Sequence, residues 1–168
     1  MKILFAYDGS ESADAAIAAA GQLLGRPDLE AIVLSVWEPL IVEALRATKF
    51  GGRFFVPPSV SETDERSEHH ARQLAEHGAR IAQEHGFNAR PRWAADDRDV
   101  KDAIIAEADE LDVDLVVPGA RGLTGMRALI GSVSNHVLQD AHRPLLVIPP
   151  AGAPAATMLE HVTAGEAS

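Results

Sequence analysis

Apolar residues in this chain gather into short unbroken runs, and the runs are separated by stretches with helical spacing. Ile3 to Tyr7 is the first run, ended by Asp8-Gly9-Ser10. A run of this kind reads as a strand buried on both faces. Ser10 is a suitable N-cap, because its hydroxyl can accept from a free backbone N–H of a following first turn. Ala13, Ala16, Ile17, Ala20 and Leu24 come next at helical spacing, and Gly25 marks a stop. That stripe is mostly alanine, so this helix can lie close to a sheet.

Ala31 to Trp37 (AIVLSVW) predicts a second buried strand. From about Glu38 to Val60 the pattern is irregular, with Gly51-Gly52, Pro57-Pro58 and the phenylalanines Phe50, Phe54 and Phe55. A connection this long reads as a lid over a binding site, as a cover for one end of the sheet, or as a dimer contact. A long helix follows from about Glu62 to His85, with Ala71, Leu74, Ala75, Gly78, Ile81 and Ala82 as its inward stripe and Gly86 as its end. Ala89 to Ala95 is a weaker third strand, and Pro91 within it predicts an edge position or a strand start. Val100, Ile104, Ala108 and Leu111 mark another helix. Asp114 to Pro118 (DLVVP) is a fourth strand. A glycine-rich turn, a helix from about Ser132 to Ala141 and a fifth strand, Pro144 to Ile148 (PLLVI), complete the pattern. Beyond Pro149 there is little to bury, which predicts one domain over residues 1–150 and a flexible tail over 151–168.

Strand and helix alternate throughout. This predicts an α/β fold: a single doubly wound domain with a five-stranded parallel sheet and helices on both faces. The expected strand order is 3-2-1-4-5. Strands 1 and 4 are then neighbours whose outgoing connections diverge, and the crevice at their carboxyl ends is where such sheets take ligands.

Composition narrows the function. With 168 residues, 46% hydrophobic and 24% charged, the chain is long enough for one real core. It has no cysteine, which excludes disulfides and thiolate metal sites and is compatible with a reducing cytoplasm. The opening apolar run meets Asp8 too soon for a signal peptide, and no run approaches the roughly 20 apolar residues of a membrane span. A cytoplasmic protein with no membrane partner is expected. The formal net charge is −10, with only Lys2, Lys49 and Lys101 as lysines, so a nucleic-acid backbone would be repelled on average. A small anion needs local help from backbone N–H groups, an arginine or a metal ion.

Two loops leave the expected crevice. One is Ala6-Tyr7-Asp8-Gly9-Ser10. The other is Pro118-Gly119-Ala120-Arg121-Gly122, continuing through Leu123-Thr124-Gly125 to Gly131-Ser132-Val133-Ser134. Gly119 and Gly122 lack a Cβ, so backbone N–H groups there can approach a phosphate. Gly131-Ser132 opens the last predicted helix, whose free N–H groups and positive dipole end favour an anion. The hydroxyls of Ser132 and Ser134 can add hydrogen bonds, and Arg121 is a candidate phosphate contact. The pattern is neither a P-loop, since no G-K-[ST] follows the glycines, nor a dinucleotide fingerprint, since no G-x-G-x-x-G follows strand 1. Glycines after strands also make plain tight turns.

Gly119-x-x-Gly122 followed by Gly131-Ser132 resembles the G-2x-G-9x-G-[ST] nucleotide signature of the universal stress protein family, with eight residues between Gly122 and Gly131 where the signature has nine. Gly131 to Ser134, continuing through His142-Arg143-Pro144 to Ile148, resembles that family's last helix and strand. Ile3 to Ser10 resembles its first strand and turn, and Ser35 to Pro39 its second. The resemblance covers about Met1 to Pro150. It implies ATP or a related adenine nucleotide as ligand, with Mg²⁺ or Mn²⁺ accompanying a triphosphate. It implies that Ala6, Tyr7, Asp8 and Val36 line the adenine and ribose pocket and that Pro118 and Gly119 lie beside the ribose and the α-phosphate. Gly122, Gly131, Ser132, Val133 and Ser134 would hold the phosphates, chiefly through backbone N–H. Pro118 itself brings no backbone donor. The resemblance also implies a regulatory role in stress tolerance or growth arrest and a homodimer joined through the last strand, an aliphatic edge that would be an aggregation hazard if left bare.

Other clusters carry plainer readings. His70 and His77 lie seven apart on one helix face with His69 beside them, whereas metal-binding pairs on helices are spaced by three or four; a polar helix face accounts for them. Asp96-Asp97-Arg98-Asp99 suits a helix N-terminus. No triad can be assembled, and no acid or base other than Asp8 falls near the proposed cradle. An interaction module of the same fold that takes no nucleotide, and a slow ATPase or nucleotidyl transferase working through Asp8 and a metal, stand beside the nucleotide-binding reading.

Overall fold

The computed structural model describes residues 1–40, 60–96, 99–118 and 143–148. The strands β1 (Lys2–Ala6), β2 (Glu30–Trp37), β3 (Asn88–Ala95) and β4 (Leu115–Pro118) alternate with the helices α1 (Glu11–Leu24), α2 (Val60–Glu84) and α3 (Val100–Glu110). The strands form a four-stranded sheet in the order β3-β2-β1-β4, and every pairing is parallel. Aliphatic runs become the inner strands because both of their faces are covered. Ile3, Leu4, Ile32 and Val33 are fully buried.

The two faces carry separate apolar layers. On one, Ile3, Phe5 and Val33 pack with Ala13, Ile17 and Ala20 of α1 and with Ala79 and Ala82 of α2. Phe5 meets Phe87 edge-on, with ring centroids 5.4 Å apart. On the other face, Leu4, Ile32, Leu34 and Val116 pack with Ile104 and Ala108 of α3. The expected helices on both faces of a parallel sheet are therefore present. The alanine stripe of α1 is buried as its spacing requires. On α2, Ala79 is buried as well, beyond the stripe read from the sequence.

Pro91 lies within β3, opposite Val33, in the strand that among the described residues pairs with β2 alone and forms an edge of the sheet. At the other edge, residues 143–148 lie beside β4, where the fifth strand is expected, but they join it through one parallel bridge, Val116 to Leu145. The Val116 N–H donates to the Pro144 carbonyl at 3.0 Å and the Leu146 N–H to the Val116 carbonyl at 2.9 Å. Among the described residues the expected five-stranded sheet is thus four strands and a bridged segment. A physical reason lies at the start of the segment. Pro144 has no N–H to give, and the Arg143 side chain is bonded to Asp109, Asp112 and the Val113 carbonyl. Leu145 still packs on the α3 face, and Leu146 and Ile148 on the other. The last predicted helix, most of the 38–60 connection and the tail lie outside the described residues.

Candidate functional site

β1 runs between β2 and β4, and Ala6 at its end is paired with Leu34 on one side and Pro118 on the other. Beyond this point β1 leads into α1, while β4 continues into the stretch opened by Gly119. β1 and β4 are therefore neighbours, as the strand order predicts, with Pro118 buried at the last rung. Ala6 and Val36 are partly buried, and both lean on the apolar layer that β1 and β2 share with α3. They offer small apolar side chains at the carboxyl ends of adjacent strands.

Hydrogen bonds within the Asp8-Gly9-Ser10 turn fix its shape. The Asp8 carboxylate oxygen Oδ1 accepts from the Ser10 N–H at 3.0 Å and from the Ser10 hydroxyl at 2.6 Å. With its own proton given to Asp8, the Ser10 oxygen accepts from the Ala13 N–H at 3.2 Å and caps α1, as its position in the sequence predicts. The Ser12 hydroxyl lies 2.9 Å from the same oxygen, with Ser12 then the donor. Gly9 has φ +75°, and a Cβ there would come within 2.6 Å of Leu74 Cδ2 on α2. Conformation and space both require glycine.

Tyr7 extends the ladder one step past β1: its N–H donates to the Leu34 carbonyl at 2.8 Å. Its side chain is turned to the α1 and α2 face and buried. The phenol hydroxyl donates to Asp14 Oδ1 at 2.6 Å, and a Cβ on Gly78 would meet the ring at 2.9 Å. Burial, then the Asp14 carboxylate, pushes the phenol above its ordinary range, with the Asp8 charge adding to the effect. Tyr7 thus contributes main chain to the crevice, while its ring anchors the strand end from behind. Asp14, Leu74 and Gly78 support the turn and were not singled out as site residues by the sequence reading. The only sequence signal for them is the place of Leu74 and Gly78 on the inward stripe of α2.

The structure brings Ala6, Tyr7, Asp8, Val36 and Pro118 together at one end of the sheet. Gly119, Arg121, Gly122, Gly131, Ser132, Val133 and Ser134 lie outside the described residues. Asp99 is the N-cap of α3, as the helix-start reading of the acidic run requires, and Asp96 is buried with its N–H donating to the Trp37 carbonyl at 2.7 Å. His69, His70 and His77 are exposed on α2, and among the described residues no three His, Asp or Glu side chains form a group able to hold a metal. No helix among them is long and apolar enough to cross a membrane.

Residues 1–149 match the model of the universal stress protein family. The chain is 29% identical over 149 residues to the universal stress protein YxiE of Bacillus subtilis, a match covering 88% of this chain and 97% of that one. Its fold is similar to that of the hypothetical protein MJ0577, with a TM-score of 0.67 at 22% identity over 90% of this chain and 97% of the other. It is also similar to a family protein of Arabidopsis thaliana described with AMP bound, with a TM-score of 0.60 at 19% identity over 88% of this chain and 90% of the other. Further structures of similar fold are complexes with dAMP and cAMP. The family match over nearly the whole chain and the similarity of fold agree, and the chain belongs to the universal stress protein family.

Proposed function

We propose that this protein binds an adenine nucleotide in the crevice between the ends of β1 and β4, and that it acts as a regulatory binder in a stress response. The observation that carries the reading is that the carboxyl ends of β1 and β4 lie side by side at the Ala6–Pro118 pair, with a braced Asp8 turn beyond β1. The residues there suit a nucleoside. Ala6 and Val36 offer an apolar floor for a base, and the Asp8 carboxylate is an acceptor for a ribose hydroxyl. AMP, dAMP and cAMP, the ligands named for proteins of similar fold, share an adenine, a pentose and one phosphate. The base and first phosphate are the common denominator of the proposed recognition.

In this reading Ala6, Tyr7, Asp8 and Val36 line the adenine and ribose pocket, Tyr7 through its main chain. Pro118 and Gly119 flank the ribose and α-phosphate. Gly122, Gly131, Ser132, Val133 and Ser134 hold the phosphates with Arg121 as an added cation, and ATP with Mg²⁺ or Mn²⁺ is the expected physiological form. The residues assigned to the phosphates fit that task by type: backbone donors, hydroxyls and an arginine, with no lysine needed. The sequence offers no recognisable catalytic triad, which favours binding over turnover. We further propose a cytoplasmic homodimer joined along the segment after Pro144, where Leu145 and Leu146 lie at an edge of the sheet.

Calorimetric titration with AMP, and with ATP and Mg²⁺, tests the reading. Saturable binding that disappears when Gly122 or Gly131 is replaced by tryptophan supports it. Absence of heat and of any thermal shift with either nucleotide defeats it and leaves the interaction-module reading. Sedimentation at micromolar concentration tests the dimer, which a monomer would refute.

A further inference from the structure

We infer that Asp14 is a positioning residue for the Asp8-Gly9-Ser10 turn, acting through Tyr7; its consequence for ligand affinity rests on the nucleotide reading above. Asp8 is the residue next to Tyr7, so the direction in which its carboxylate leaves the strand follows from how Tyr7 is held. Tyr7 is held at separate points. Its main chain is bonded to Leu34 at 2.8 Å. Its ring is pressed on Gly78 so closely that even a methyl there would come within 2.9 Å. Its hydroxyl is bonded to Asp14 at 2.6 Å. The first two contacts lie on the strand and on α2. The third ties the strand end to the first turn of α1, the helix that the Asp8 turn leads into.

This closes a ring of contacts around the turn. Going one way, Asp8 is bonded to Ser10, and Ser10 to Ala13 in α1. Going the other way, Tyr7 is bonded to Asp14, the next residue of α1. With both sides fastened to adjacent helical residues, the turn cannot pivot about the strand end. Gly9, whose backbone would otherwise be the freest in the turn, is backed by Leu74. The contact is a short hydrogen bond donated by a buried phenol to a carboxylate oxygen, a strong class of contact. A binding carboxylate held in this way has its orientation set before ligand arrives, and preorganisation is what converts contacts into affinity.

The test uses Tyr7→Phe, Asp14→Ala and Asp14→Asn in the full chain. The first measurement is amide hydrogen exchange at Gly9 and Ser10, with Phe5 and Val33 as controls, on protein free of nucleotide. Exchange at Gly9 and Ser10 is expected to rise about tenfold in Tyr7→Phe and Asp14→Ala, with the controls unchanged. Asp14→Asn, whose amide oxygen still accepts from the phenol, is expected to stay near wild type. The second measurement is AMP affinity, expected to fall about tenfold in the first two variants and to be largely retained in Asp14→Asn. Unchanged exchange at Ser10 in Asp14→Ala overturns the positioning role. So does a lowered melting temperature with unchanged AMP affinity, since that is what a purely structural bond would give. If wild-type protein binds no AMP, the nucleotide reading fails, while the exchange measurement still decides whether Asp14 holds the turn.

Discussion

Arg92 on β3 and Glu107 on α3 face each other in a two-pronged contact, with Nε 2.8 Å from one carboxylate oxygen and Nη2 3.1 Å from the other. Glu107 is buried, and the same guanidinium reaches Glu110 at 3.4 Å. The hydrogen bonds to Glu107, which exceed the opposing cost of burial, hold the guanidinium above its ordinary pKa. Fork geometry of this kind fixes direction as well as distance, so the pair sets how α3 lies across the edge of the sheet.

Removing one partner should cost more than removing both. Arg92→Leu leaves a buried carboxylate without its fork and is expected to lower stability by about 2 kcal/mol. In the double variant with Glu107→Leu, most of that loss should be recovered. Urea unfolding of the two single variants and the double one gives the coupling directly. Additive losses would show that the contact is incidental.

Gly78 should tolerate no side chain. A Cβ there would meet Val33 Cγ1 at 2.8 Å and the Tyr7 ring at 2.9 Å. Both neighbours sit in the packed layer between β1, β2 and α2, so neither can retreat cheaply. Gly78→Val is expected to destabilise by about 3 kcal/mol, at the upper end of overpacking costs. Intrinsic helix propensity predicts the opposite direction for replacing glycine in a helix. A melting temperature at or above wild type would show that α2 can slide away from Tyr7.

The architecture was legible because β1, β2 and β4 declare themselves by aliphatic runs and the helices by apolar residues at helical spacing. Ile3 to Phe5 and Ile32 to Leu34 can be buried only inside a sheet covered on both sides, and Pro91 marks its own edge. The segment after Pro144 was less legible. Its leucines pack against the two apolar layers as their type predicts, but ladder formation depends on donors, and Pro144 has none. At the site, strand ends can be read from where apolar runs stop, which put Ala6 and Pro118 on the two loops leaving the crevice, while Val36 and the individual roles came from the family resemblance. The Tyr7–Asp14 bond could not be read that way. It joins a strand end to a helix turn seven residues later, and that distance is set by packing, not by any local pattern.

The apolar floor of the crevice should be open to blocking without harm to the fold. Val36 is only partly buried and lies near the carboxyl end of β2, as the ladder partner of Ala94. Val36→Trp would place a large ring where the base is proposed to lie. Nucleotide affinity is expected to fall at least tenfold, or about 1.4 kcal/mol, with a melting temperature within a few degrees of wild type. Calorimetry and a thermal melt on the same sample check both halves. Retained affinity would move the base to another part of the crevice.

Tyr7 is the only tyrosine of the chain, so its ionisation can be followed without ambiguity. Burial first, then the Asp14 hydrogen bond and the negative charges of Asp14 and Asp8, raise the phenol above its ordinary value near 10. A group whose folded pKa is raised contributes stability that is complete below the unfolded pKa and is lost as pH climbs past it. In the unfolded chain the phenol releases its proton near pH 10, while in the folded chain it keeps it. Above pH 10, unfolding is therefore coupled to proton release, and Tyr7 should erode stability by up to about 1.4 kcal/mol per pH unit. Tyr7→Phe lacks this slope. Its stability deficit relative to wild type should accordingly be constant up to about pH 9.5 and shrink above it. Tyrosinate absorbance in the wild type should rise only as the protein unfolds, in step with the loss of helical circular dichroism. A smooth titration near pH 10 in folded protein would show that the phenol is exposed and unbonded, and the anchoring of the β1 end by Asp14 would have to be abandoned.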